Sequence, residues 1–156
     1  MVKSKLATIL LGVFVLFSVA SCGPSLVIQN VDYSQPLESV LTPNSDNMVH
    51  DQRYAIKFSI TPILEEEGIT SVNQIRLIRN SAGYYFVTAN DFQNVYVFFP
   101  GESELELENT IEFEEGIGEP AFNQREGYVQ LVDLSTDETY RLDHEGILED
   151  EEQETE

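Results

Sequence analysis

From Arg53 to Thr61 the chain reads RYAIKFSIT, with apolar and polar side chains in alternation. Tyr54, Ile56, Phe58 and Ile60 fall on one side, and Arg53, Ala55, Lys57, Ser59 and Thr61 on the other. Successive side chains of a strand point to opposite faces, so the stretch predicts a strand with one face in a core. ELELENTIEFEE repeats the pattern, setting Leu105, Leu107, Ile111 and Phe113 against Glu104, Glu106, Glu108, Thr110, Glu112 and Glu114. GYVQLVDL and TYRLD flank the polar STDE, which predicts a hairpin with a short loop. SLVIQNV, QIRLIRN, YYFVT and NVYVFF complete the candidate strands, and NSAG between Asn80 and Gly83 is a turn signal. NVYVFF is apolar on both faces, as in a central strand covered on both sides or one with an exposed aromatic face.

No stretch holds helical spacing for long, and PILEEEGITSVNQ from Pro62 offers at most one helical turn. About seven to nine short strands, separated by regular turns, predict an all-β sandwich or barrel. EGYVQLVDLSTDETYRL resembles the last hairpin of immunoglobulin-like domains, with Gly127 and Tyr128 near the place of a tyrosine corner. The usual spacing puts one residue between that glycine and tyrosine, and the paired cysteines and core tryptophan of such domains are missing here. An immunoglobulin-like antiparallel β-sandwich over residues 25–147 is the expected architecture, with an up-and-down lipocalin-like barrel as the alternative.

The first 21 residues follow a different rule. Lys3 and Lys5 form a positive start, Leu6 to Val19 are apolar apart from Thr8 and Ser18, and Ala20 and Ser21 are small. A positive start, an apolar run of roughly 7–15 residues and a small-residue cleavage site describe a secretory signal. The run falls short of the roughly 20 residues of a bilayer span. Val19, Ala20, Ser21 and Cys22 resemble the lipobox of bacterial lipoproteins. That resemblance implies cleavage before Cys22, lipid attachment to its thiol and anchoring in a membrane through the lipid. Several acyl chains give stable anchoring, at about 0.8 kcal/mol per buried CH₂. Cys22 is the only cysteine in the chain, so the mature protein has no internal disulfide. In enterobacterial lipoproteins an Asp directly after the cysteine favours the inner membrane. Gly23 stands there, and GPSLVIQN carries no charge, which together favour the periplasmic face of an outer membrane over the inner membrane or the cell surface. Residues 22–24 form the tether, and the acidic run from Leu148 to Glu156 has nothing to bury and reads as a disordered tail.

The chain carries 28 Asp and Glu against 8 Lys and Arg, a formal net charge of −20. Departure of Lys3 and Lys5 with the signal makes the mature part more acidic still. Nucleic-acid binding requires a basic surface, so that class is excluded. The charge also opposes a domain lying flat on anionic lipid.

Catalytic signatures are missing. His50 and His144 are the only histidines, and neither has a nucleophile in a recognisable motif. There is no Gly-x-Ser-x-Gly elbow, His-Glu-x-x-His pair or phosphate loop. The expectation is a non-enzymatic protein with no cofactor and no metal. A calcium site in DLSTDE, using Asp133, Ser135, Asp137 and Glu138, would lack the glycine and distal glutamate of an EF-hand loop.

The acidic column Glu104, Glu106, Glu108 and Glu112 is the other candidate surface. Alternate residues on one strand face lie about 6.5–7 Å apart, too far to share one Ca²⁺ but suited to a basic partner. As a solvated face it would equally keep the strand from pairing with other chains. The aromatics of GYYFVTANDFQNVYVFF serve a core or a platform for peptide or sugar, and the absence of tryptophan counts against sugar. These features predict a lipid-anchored envelope module that binds another envelope protein. A lipid-anchored barrel carrying a small apolar ligand is the alternative.

Overall fold

The computed structural model describes residues 38–149. Cys22 and the lipobox, the tether, the SLVIQNV candidate and residues 150–156 lie outside the described residues. In chain order the elements are β1 (Ser39–Leu41), β2 (Met48–Asp51), β3 (Ile56–Ser59), α1 (Thr61–Glu66), β4 (Ile75–Arg79), β5 (Tyr85–Thr88), β6 (Phe92–Pro100), β7 (Leu105–Ile117), β8 (Pro120–Gln124), β9 (Val129–Asp133) and β10 (Glu138–Leu142).

All strand pairs are antiparallel. A five-stranded sheet in the order β1-β4-β5-β6-β7 lies at the centre. The three-stranded meander β10-β9-β8 covers one face, and the β2-β3 hairpin with α1 covers the other. This is an all-β sandwich with cores on both faces of one sheet. Among the described residues no sheet closes on itself, so the barrel alternative fails: β1 and β7 remain at opposite edges.

Period two explains why the sheet carries two cores. Along β6, Val95 and Val97 enter the meander-side core with Ile78, Phe86, Phe122 and Leu131. Tyr96, between them, enters the hairpin-side core with Ile63, Leu64, Leu77 and Val87. Every residue of β5 is buried. Val95 to Val97 of NVYVFF are thus covered on both sides, while Phe98 is half-buried and Phe99 is exposed. Tyr54, Ile56 and Phe58 pack on the hairpin-side core and Ile60 is buried in it, as the alternation predicts.

The turns follow their residues. The Asn80 carboxamide accepts the Tyr84 N–H at 2.9 Å, closing the β4–β5 turn. The helix falls at Pro62 as expected, but its six residues make more than the one turn expected there. Ile63 and Leu64 bury its inner face, and Gly68, at φ +71°, ends it. The N–H groups of Gly68 and Ile69 return to the carbonyls of Glu65 and Leu64 at 3.2 and 2.9 Å, a left-handed cap that favours glycine. At the chain's entry, Glu38 accepts from Arg76 Nη1 at 2.5 Å and from the Phe122 N–H at 2.9 Å, joining β4 to β8. Leu148, assigned to the tail by composition, donates to the Arg141 carbonyl at 2.7 Å.

Candidate functional site

The hairpin and helix do not reach the edge of the sheet they cover. They leave a groove of about 560 Å³ walled by Phe58, Pro62, Ile63, Phe98, Leu105 and Leu107. A recess of about 260 Å³ shares Lys57, Phe58, Glu104 and Leu105 with it and runs on to Tyr85 and Pro100. Lys57 of β3, Glu66 of α1 and Glu104 of the β6–β7 turn form the charged rim.

A bulge puts the two leucines there. Val97 pairs with Asn109 but Phe98 pairs with Leu107, which leaves Glu108 without a cross-strand partner. One extra residue reverses the phase of alternation. Leu105 therefore packs with the hairpin-side core, whereas Ile111 and Phe113 enter the meander-side core. The single apolar face expected over residues 105–113 is split between two cores.

The acidic column is split with it. Glu104 stands at the groove rim. Glu106 lies opposite Phe99, on the other face, and Glu108 is the bulged residue. Glu112 lies opposite Asn94, whose carboxamide points to Glu67 on the groove side of the sheet. All four are exposed, but they form no continuous row.

Polar atoms hold one wall of the groove. Tyr96 donates its hydroxyl to Glu67 Oε1 at 2.9 Å, Asn94 Nδ2 donates to the same oxygen at 2.9 Å, and the Gln93 N–H reaches Oε2 at 2.9 Å. These bonds tie the end of α1 to β6. Burial, then the hydrogen bond to Glu67 and its charge, hold the Tyr96 phenol neutral well above its usual range.

The DLSTDE loop is committed to the chain. Asp133 is buried and accepts from Gly118 N at 2.8 Å, Glu119 N at 3.0 Å, Ser135 N at 2.9 Å and Ser135 Oγ at 2.6 Å. Burial alone would raise its pKa, but the Ser135 hydroxyl and these N–H groups outweigh it and bring the carboxyl to about 2. Gly118 leaves room for this contact, because a Cβ on it would lie 2.4 Å from Ser135 Oγ and push that hydroxyl aside. Among the described residues, no three His, Cys, Asp or Glu side chains converge as a metal site.

The histidines are far apart in role. His50 is exposed on β2 opposite Lys57. His144 stacks on Tyr84 at 4.4 Å between ring centres, and Tyr84 also meets Phe99 at 5.3 Å. A further cavity, about 460 Å³ and mainly polar, lies between Ser71, Asn73, Asn90 and Asp91. Among the described residues, no helix is long and apolar enough to cross a membrane.

The sequence pattern did not single out Phe58, Ile63 or Phe98 as groove residues. Asn109 carried an available signal: a polar residue in the apolar phase of β7, next to the bulge. Comparisons with protein-family models, curated proteins and solved structures find no match to this chain.

Proposed function

We propose that the protein is a lipid-anchored module of the cell envelope that binds another envelope protein through the β3–α1–β7 groove and performs no catalysis. The lipobox supports the anchor at Cys22, and Gly23 with its uncharged neighbours supports the periplasmic face of an outer membrane. The observation that carries the binding reading is the open apolar groove beside a strand edge. Phe98 and Leu105 are half-buried on its floor, and Leu107 is 57% exposed. Apolar side chains left together at a surface with polar residues around them mark contact sites.

Lys57 makes the reading testable with unusual selectivity. Apart from Lys3 and Lys5 it is the only lysine of the chain, and it lines the groove. An amine-reactive crosslinker applied to membranes should join one dominant protein through Lys57, and Lys57→Arg should abolish the adduct. No adduct at normal expression, or the same adducts from Lys57→Arg, defeats the binding reading. Fatty-acid labelling that persists in Cys22→Ser defeats the anchor.

A second reading keeps the groove and changes its occupant to a small apolar ligand. Its volume of about 560 Å³ falls within the roughly 300–1,000 Å³ of small-molecule sites. With no barrel interior, that ligand would lie in the open groove.

A further inference from the structure

β7 is the outer strand of its sheet. Its first half pairs with β6 through Pro100↔Leu105, Phe99↔Glu106 and Phe98↔Leu107, and no strand among the described residues pairs along its other side. An unpaired edge presents a row of free N–H and C=O groups. Here the side chains along that edge are sorted by face. Leu105 and Leu107 turn to the groove, while Glu106 turns to the opposite face beside the exposed ring of Phe99. Glu104 and Glu108 stand at either end of the stretch.

Resting on the reading that the groove is a binding surface, we propose that it takes an extended segment of the partner in which apolar and basic residues alternate, added as a strand along Leu105–Leu107. The main-chain groups of β7 supply the pairing, and alternate side chains supply the selection. Apolar side chains of the segment enter the groove over Phe98, Leu105 and Leu107. Its lysines or arginines, one position out of phase, meet Glu106 on the other face, with Glu104 and Glu108 flanking. The bulge at Glu108 limits the addition to a short stretch, because beyond it the faces of β7 exchange.

Charge selects this occupant. A second copy of this chain, at a net charge of −20, would set carboxylates against carboxylates along the shared edge. Like charges juxtaposed across an interface suppress the wrong partner, and complementary ones admit the right one. The acids that discourage self-pairing of β7 are thus the acids that recognise a basic strand.

The test uses the full mature chain carrying Cys22→Ser. The probes are a short capped peptide of alternating lysine and valine, the same composition with its lysines grouped at one end, an alternating glutamate and valine peptide, and a fluorescent fatty acid. The alternating basic peptide should bind, should weaken as salt is raised, and should bind about tenfold more weakly to Leu107→Lys. Leu107 is exposed, so this substitution leaves the fold intact, as circular dichroism will verify. Equal binding of the grouped or acidic peptide overturns the proposal, as does unchanged affinity in Leu107→Lys. Uptake of the fatty acid alone assigns the groove to a small apolar ligand and also overturns it. Failure of every peptide alongside a Lys57-dependent adduct in membranes overturns the segment chemistry and leaves the binding reading standing. Failure of both removes that reading too.

Discussion

The two faces of the central sheet are built from the same strands and finished differently. On the meander side, three strands cover the sheet, and Phe86, Val97, Phe122 and Leu131 are buried. On the hairpin side, the cover is two four-residue strands and a six-residue helix, too small to reach β7. Sealing and exposure therefore follow from the area of the covering layer, since the sheet supplies apolar side chains to both sides. The bulge at Glu108 sharpens the contrast. It moves Leu105 and Leu107 out of phase with Ile111 and Phe113, onto the side where the cover stops short.

Substitutions on the two sides should separate stability from binding. The largest stability effect is expected from Phe86→Ala on the sealed side. Its ring is fully buried, and its loss should cost about 3–5 kcal/mol in urea unfolding followed by circular dichroism. Asp133→Ala comes next, at about 2–3 kcal/mol, because four donors lose a charged acceptor. Its pH dependence has a definite sign. The carboxyl titrates at about 2 in the fold against 3.8 unperturbed, so its contribution is complete above pH 3.8 and is lost as pH falls toward 2. Acid titration of stability should be correspondingly flatter in the variant.

Tyr96→Phe should cost about 1 kcal/mol, since Glu67 keeps its bonds to Gln93 and Asn94. The raised phenol pKa means its contribution is intact below pH 10 and declines as pH rises beyond it. The variant should lose less stability on alkaline titration than the parent. The smallest stability effect is expected from Leu107→Ser on the open side, within about 0.5 kcal/mol, with partner binding lost. A large destabilisation by Leu107→Ser would mean the groove is structural, and the contrast between the faces would fail.

Much of this architecture was legible in the pattern. β3 to β7, β9 and β10 all fall on stretches where alternation or a continuous apolar run marked them, and Asn80 to Gly83 marked their turn. β1, β2 and β8 were missed. They have three to five residues, and MVHD and PAFNQ offer too little alternation to stand out from loops. Tertiary pairing makes them strands: β2 exists because Val49 and Asp51 meet Phe58 and Ile56. The acidic residues of the candidate site were legible as residues but not as a surface. Period two continues in the letters through Leu105, Leu107, Ile111 and Phe113, while the chain changes phase beneath it. Only Asn109 interrupts it, and its carboxamide caps the carbonyls of His144 and Glu145 at 3.3 and 2.8 Å. The groove was not legible at all, because it depends on how far α1 and β3 extend over the sheet.

The most direct measurement is site-specific photo-crosslinking in living cells from two exposed leucines, Leu107 in the groove and Leu134 in the β9–β10 turn, which are 57% and 51% exposed. One discrete adduct is expected from a probe at position 107 and none from position 134. Adducts of equal strength and pattern from both positions, or an adduct from position 134 alone, would contradict the binding reading.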